Sequence, residues 1–220
     1  MNKLDIKQES ILLTMVAVPF TYAIYLWAQL PDTIPIHFDI DGTANNWGPK
    51  YTAFLLPALS LFIYAITAAS PFLDPKRMSP EFMTGNFFKL RFILVFFMSA
   101  LALIILHSVA YGGNMMPYAT RLIFLLLAGI GNFMINLKPN WFVGIRTPWT
   151  LSNDEVWRKT HQIVGRLFFF GGLIGFLISF LLTPPVANMI LVVFALLSSL
   201  FAVAYSFWLF RQLGETASKD

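Results

Sequence analysis

The sequence predicts an all-α polytopic membrane protein, and its composition is the first observation that supports this class. Of its 220 residues, 57% are hydrophobic and only 12% are charged, whereas about a quarter of the residues in an ordinary soluble domain are charged. Too few polar side chains remain to cover the surface of a soluble fold of this size. The chain contains no Cys, which excludes disulfide bonds and cysteine-ligated metals.

Six long apolar stretches are the second observation. About 20 helical residues cross roughly 30 Å of hydrocarbon, and all six stretches are long enough. The first lacks a small-residue cleavage pattern and is followed by further spans, so we interpret it as a retained helix rather than a signal peptide. Pro184 and Pro185 separate the last two, which predicts a tight helical hairpin. The predicted spans are residues 11–30, 52–73, 88–111, 119–137, 163–183 and 186–210.

The Lys and Arg residues are divided unevenly between the two predicted sides. Only Lys50 and Arg121 fall on one side, and thirteen fall on the other. Because positive residues accumulate in cytoplasmic loops, we expect a multi-pass protein of a plasma membrane with its N and C termini in the cytoplasm. The thirteen are Lys3, Lys7, Lys76, Arg77, Lys89, Arg91, Lys138, Arg146, Arg158, Lys159, Arg166, Arg211 and Lys219.

The N-terminal membrane region, residues 1–110, contains a long connection at residues 31–51 that should be extracytoplasmic. Apolar and polar residues alternate from residue 34 to residue 40, which predicts a short, half-buried strand. Asp41 and Gly42 then signal a tight turn. We therefore expect a small β-hairpin-like loop with Trp47 on its return arm.

The polar face of this loop offers a weak metal-site candidate. The alternation puts His37, Asp39 and Asp41 on one face, and imidazole and carboxylates are plausible ligands of a divalent cation. His107, near the outer end of the third span, would lie within reach. We favour the simpler interpretation, in which these residues are the solvated face of an amphipathic hairpin, and we expect neither a bound metal nor another cofactor.

The second membrane region, residues 119–210, contains a cytoplasmic connection at residues 138–162 that is unusually aromatic. Ser152 and Glu155 have the spacing of a capping box, which predicts a helix from residue 153. Its periodicity predicts an amphipathic cytoplasmic helix on the membrane surface that turns into the fifth span. Trp141, Trp149 and Trp157 are typical interface anchors.

Two residues of this connection invite a functional interpretation. Arg146, beside a rigid Thr-Pro pair, could fork onto a lipid headgroup or a partner; we favour a structural pairing with Asp154 or Glu155. His161 has no Ser, Cys or acid at motif spacing, so we expect no enzyme.

Small residues and the lack of buried acids complete the prediction for the spans. Gly171 and Gly175 form a G-x-x-x-G pair, which predicts close helix packing. No predicted span carries an acidic residue in its middle, which argues against a proton-coupled transporter.

Two blocks of the chain resemble those of a known family. They are residues 30–38 with Gly42, Trp47 and Lys50, and residues 144–152 with Val156, Trp157, Thr160 and His161. The first block resembles the motif of an uncharacterised bacterial membrane domain, and the second resembles the signature of the SdpI immunity-protein family. Members of that family carry both blocks in this order, so the chain is identified as a member.

The resemblance implies a bacterial plasma-membrane protein that protects its cell against a secreted, membrane-active peptide toxin. In the namesake system the immunity protein is also a signalling receptor that holds a cytoplasmic helix-turn-helix repressor at the membrane, so such a repressor joins the toxin and membrane lipids as an expected partner. Direct binding of nucleic acid is not expected. The alternative is an integral membrane enzyme or lipid-handling protein with an outer His/Asp metal site.

The candidate site residues therefore fall into two sets on opposite sides of the membrane. The outer set is expected to contact the toxin or another ligand, and the cytoplasmic set a partner or a lipid headgroup. The sets are His37, Phe38, Asp39, Asp41 and Trp47 outside, and Arg146, Thr147, Pro148, Trp149, Trp157 and His161 inside.

Overall fold

The computed structural model describes residues 5–73, 85, 87–140 and 143–217. Six helices in this part of the chain are long and apolar enough to cross a bilayer, which confirms the predicted fold class. Of the residues singled out above, Lys3, Lys76, Arg77, Trp141 and Lys219 lie outside the described ranges. The elements are α1 (Ile6–Leu26), β1 (Thr33–Phe38), β2 (Ala44–Pro49), a 3₁₀ turn (Lys50–Phe54), α2 (Leu55–Leu73), α3 (Phe87–Tyr111), α4 (Met116–Met134), α5 (Pro148–Ser152), α6 (Asp154–Ile178) and α7 (Pro184–Ala217).

The six long helices alternate in direction, so the connections gather at two ends of the molecule. We call one the hairpin end, because it carries the antiparallel pair β1 and β2. We call the other the motif end, because it carries residues 135–153 with α5. α3 packs against α1 and α2, α4 packs against α6 and α7, and α3 and α4 contact each other. The predicted division into residues 1–110 and 119–210 stays a prediction.

The backbones of α4 and α6 touch at three glycines. A Cβ atom on Gly131 would lie 2.6 Å from the carbonyl oxygen of Gly165, and one on Gly165 would lie 2.8 Å from the carbonyl oxygen of Gly131. A Cβ on Gly172 would lie 2.6 Å from the backbone nitrogen of Ala128. Lipid supplies no hydrophobic drive for helix association, so this close approach contributes packing that a larger residue would prevent.

The predicted G-x-x-x-G pair takes part in two contacts rather than one. Gly175 lies under the ring of Phe124 in α4, whereas Gly171 lies under the ring of Phe194 in α7. The pair therefore allows α6 to pack between α4 and α7.

A buried ion pair joins α1 to α3. The Arg91 guanidinium donates from Nη1 to Oε1 of Glu9 and from Nη2 to Oε2 of Glu9, the latter at 2.9 Å. The hydroxyl of Tyr64 in α2 donates to the same carboxylate at 2.8 Å. Glu9 agrees with the finding that no predicted span has an acidic residue in its middle. It lies in the first turn of α1, which begins five residues before the predicted span. The cluster ties the first three long helices together near the motif end.

The predicted capping box of Ser152 and Glu155 is wrong, whereas the predicted helix is present and is continuous with the fifth span. Asn153 caps α6, its side chain accepting from the backbone N–H groups of Glu155 and Val156 at 2.9 and 3.1 Å. Ser152 belongs to α5 and donates to the carbonyl of Trp149. Asn153 takes the cap because it has the extended backbone of an N-cap, with φ −143° and ψ 118°. From there α6 runs unbroken to Ile178, so the amphipathic segment forms its first turns.

The α4–α6 contact predicts different effects for two neighbouring glycines of α4. Gly131→Ala forces backbone apart and should lower the free energy of unfolding by about 1–3 kcal/mol. Gly129→Ala, the matched control, meets only the flexible side chain of Ile93 at 3.2–3.3 Å and should cost little. Thermal unfolding in detergent measures both; equal melting temperatures for the two variants would contradict the contact.

The buried ion pair predicts non-additive mutational effects. Arg91→Met leaves the Glu9 carboxylate buried without its cation and should destabilise the protein by about 3–5 kcal/mol. Adding Glu9→Gln removes the stranded charge and should recover part of this loss. A double-mutant cycle of unfolding in detergent checks the expectation, which additive single effects would refute.

Candidate functional site

The motif end is built on α5, a short helix that closes residues 143–153 into a compact loop. The Thr147 side chain accepts from the backbone N–H of Thr150, and the Thr150 hydroxyl accepts from the backbone N–H of Thr147, which makes a reciprocal cap. Pro148 follows at the first helical position, where its fixed φ suits a helix start. The Thr150 hydroxyl also donates to the carbonyl of Ile145 at 2.7 Å. The capping box of this region therefore lies at the start of α5 and not at Ser152, where it was predicted.

Trp157 and His161 fasten this loop to α6. The indole Nε1–H of Trp157 donates to the carbonyl of Leu137 at 3.0 Å. The Nε2 atom of His161 accepts from the backbone N–H of Ile145 at 2.8 Å, and Nδ1–H donates to the carbonyl of Trp157, also at 2.8 Å. Both nitrogens are occupied in the neutral imidazole, and the ring is buried. His161 therefore acts as a structural bridge.

Gly144 is required for this arrangement. Its φ is +128°, and a Cβ at this position would lie 2.5 Å from Nε2 of His161. Both the backbone conformation and the close approach of the histidine favour glycine. The Gly-x-Arg-Thr-Pro stretch thus has a packing requirement at its first residue.

The loop is also tied to α7. The hydroxyls of Thr147 and Ser206 lie 3.2 Å apart, within hydrogen-bond distance, and the rings of Trp149 and Phe207 lie 4.9 Å apart. Most of the predicted cytoplasmic set therefore holds the motif end together. Arg146 is exposed on the same loop.

A groove of mixed charge lies beside this loop. We call it the motif-end groove; it has a volume of about 840 Å³, between the end of α4 and the start of α6. The Oε1 atom of Glu155 lies 2.8 Å from Nζ of Lys159 and 4.0 Å from Nη2 of Arg158. The predicted pairing of Arg146 with Asp154 or Glu155 stays a prediction. The charged lining residues are Lys138, Asp154, Glu155 and Arg158.

At the hairpin end, the predicted polar face forms a hydrogen-bonded chain. His37 Nδ1 lies 2.6 Å from Asn45 Oδ1, and Asn45 Nδ2 donates to Asp39 Oδ1 at 2.6 Å. Asp41 accepts from the hydroxyl of Thr43. His107 is bonded elsewhere, its Nδ1 lying 2.9 Å from the hydroxyl of Tyr22. Across the described residues, no three His, Cys, Asp or Glu side chains are grouped so that they could hold a metal ion.

The apolar face of the hairpin is mostly exposed, contrary to the predicted half-buried strand. Only Ile34 is buried, whereas Ile36, Ile40 and Trp47 are 46%, 57% and 56% exposed and Phe38 is intermediate. The cause is an irregular register between Pro35 and Phe38, which breaks the alternation of inward and outward side chains. The hairpin end thus presents three exposed apolar side chains, Ile36, Ile40 and Trp47, with Trp47 paired to Pro35 rather than to the strand face of Ile36.

Asn188 in α7 anchors the hairpin tip. Its Nδ2 donates to the carbonyl of Ile40, and its Oδ1 accepts from the hydroxyl of Thr120 in α4. The sequence analysis missed this residue. The sequence feature that indicates it is an asparagine shortly after Pro184 and Pro185. At this depth in a membrane, a side-chain amide needs partners inside the protein.

These features define a multi-pass membrane protein with a folded hairpin at one end and a motif-built loop at the other. Residues 136–206 match the model of the SdpI/YfhL protein family, and residues 14–61 match a domain of unknown function, DUF1648. The predicted resemblance to the SdpI family is therefore confirmed, and each match contains one of the loops described above.

The chain is also similar to a protein known as Immunity protein SdpI, from Bacillus subtilis (strain 168). The two are 26% identical over 211 residues, which cover 94% of this chain and 98% of that protein. No solved structure matches the chain.

Because His161 bridges the motif loop and α6, its replacement should lower the free energy of unfolding. His161→Phe keeps an aromatic ring but leaves the N–H of Ile145 unpaired, which should cost about 1–3 kcal/mol. Arg158→Gln, one turn away on the exposed face, is the control, because surface ion pairs contribute little. Thermal unfolding in detergent measures both, and an unchanged melting temperature for His161→Phe would show that the bridge is unimportant.

Proposed function

We propose that this protein is an immunity protein that protects its cell from a secreted, membrane-active peptide toxin. The observation that carries the proposal is the likeness to Immunity protein SdpI along almost the whole of both chains. The match includes the hairpin and the motif loop together, as expected if both ends serve one function. The proposed role is binding rather than catalysis.

The proposed orientation places the hairpin end outside the cell and the motif end in the cytoplasm. Among the described residues, Lys50 and Arg121 are at the hairpin end, and the other basic residues are at the motif end. Positive residues are retained on the cytoplasmic side of plasma membranes, which supports this assignment. The basic residues at the motif end are Lys7, Lys89, Arg91, Lys138, Arg146, Arg158, Lys159, Arg166 and Arg211.

The exposed apolar side chains of the hairpin are the proposed contacts for the toxin. A membrane-active peptide approaching from outside would meet Ile36, Ile40 and Trp47 above the helix ends. Burial of a Trp side chain commonly supplies much of the energy of a protein contact. The neighbouring His37, Asp39 and Asp41 would supply polar contacts at its edge, and the half-buried Phe38 would support it.

The motif end is the proposed contact for a cytoplasmic partner, with a helix-turn-helix repressor as the partner that the family suggests. Arg146 is exposed on the motif loop, and the motif-end groove carries charges of both signs. α7 touches the hairpin tip through Asn188 and the motif loop through Ser206. One rigid helix therefore contacts both surfaces, which supports a signalling role for the same protein.

Production of the protein in a toxin-sensitive bacterium tests the immunity proposal. Wild type should raise the inhibitory concentration of at least one secreted membrane-permeabilising peptide in a panel. Trp47→Ala combined with Ile40→Ala should lower this protection by roughly tenfold or more, as expected when a central contact is lost.

The matched control is Trp208→Ala in α7, because Trp208 is 55% exposed but lies toward the motif end. It should protect as well as wild type at equal membrane abundance. If wild type protects against no peptide of the class, the immunity proposal is wrong. If the Trp47 and Ile40 variant protects fully, the hairpin is not the contact surface.

A further inference from the structure

A second cavity lies at the hairpin end, beside the hairpin rather than on it. It has a volume of about 970 Å³ and is lined by residues of α1, α3, α4 and the connection between α3 and α4. α3 contacts both α1 and α4, so the cavity lies along the face of α3 between these two helices. Its size falls in the range of known small-molecule sites, about 300–1,000 Å³.

Arg121 gives this cavity a positive charge. Its Nε is buried and has no hydrogen-bond partner among the described residues. Its Nη2 reaches the carbonyl of Ser179 only at 3.4 Å, and its guanidinium lies 4.0 Å from the ring of Phe180. No Asp or Glu stands among the described residues that line the cavity. The guanidinium is therefore held in place without a carboxylate partner.

Other polar groups line the cavity near the end of α3, which we call its polar mouth. His107 and Ser108 line it from the last turns of α3, and Asn114 lines it from the connection. Gly112 and Gly113 have φ values of +76° and +118°, and a Cβ on either would meet no atom within 4 Å. The open backbone here leaves room for a ligand's polar head.

The deeper wall of the cavity is apolar. Leu103 and Ile104 lie about two helical turns from the end of α3, toward the middle of the bilayer. Tyr22 and Tyr118 also line the cavity, near the ends of α1 and α4, where tyrosine is common in membrane proteins. The chemistry thus changes with depth from a cation and polar groups to hydrocarbon.

We propose that this cavity binds one phospholipid, with its phosphate at Arg121 and part of an acyl chain along Leu103 and Ile104. Guanidinium groups bind phosphate through paired N–H donors, and the Arg121 side chain lines the cavity without a carboxylate partner among the described lining residues. A soluble anion would leave the apolar wall unfilled, whereas a lipid matches both parts at the depths at which they occur. This site is separate from the hairpin surface and does not depend on the immunity proposal.

Thermal unfolding of the delipidated full-length protein in a non-ionic detergent tests the site. Dioleoyl phosphatidylglycerol should raise the melting temperature by roughly 5 °C at saturation. Dioleoylglycerol, which lacks the phosphate, and glycerol phosphate, which lacks the chains, should each raise it by much less.

Two variants should abolish the shift by different routes. Arg121→Gln removes the charge, and Ile104→Trp fills the apolar wall while keeping Arg121. Arg166→Gln, which removes an exposed arginine at the motif end, is the matched control and should keep the full shift. If Arg121→Gln does not fold, the Ile104→Trp variant decides the outcome.

Four results would overturn the proposal. Equal shifts with dioleoylglycerol would show that the phosphate is not recognised, and equal shifts with glycerol phosphate would show a site for free anions. A full shift in both Arg121→Gln and Ile104→Trp would place the lipid elsewhere. Stabilisation through Arg121 by a synthetic Leu/Ser peptide with a free C-terminal carboxylate, but not by the lipid, would assign the cavity to a peptide instead.

Discussion

The direct contact between the backbones of α4 and α6 is the constraint on which the rest of the C-terminal region depends. Gly131 and Gly165 allow each helix to approach the carbonyl of the other, and packing of this kind replaces the hydrophobic effect inside a bilayer. The contact holds α4 and α6 side by side, and so sets the geometry in which Trp157 reaches the carbonyl of Leu137. Without it, the motif residues would have no fixed frame.

Polar side chains then complete the fold by pairing internally, because hydrocarbon offers them no other partners. The Glu9 and Arg91 pair connects the first helices, His161 closes the motif loop, and Asn188 holds the hairpin tip. Each bond links elements that are distant in the sequence. The same rule makes Arg121 notable, since its buried Nε lacks a partner among the described residues.

Span number and the two structured connections could be predicted from the sequence, because hydropathy and turn chemistry are local properties. The details that failed depend on tertiary context. Asn153 rather than Ser152 caps α6, because Ser152 is the last residue of α5. The irregular register of the hairpin exposes Ile36, which alternation alone would bury. The partners of Asn188 and Arg91 are far away along the chain, so no sequence spacing could reveal them.

The central claim is that the hairpin end faces the outside, where a toxin arrives, and the motif end faces the cytoplasm. The absence of native cysteine allows a direct measurement with single cysteines at exposed positions, Thr43→Cys at the hairpin tip and Ser152→Cys in α5. A membrane-impermeant maleimide applied to intact cells should label position 43 at once and position 152 only after permeabilisation. Labelling of position 152, but not of position 43, in intact cells would contradict the account.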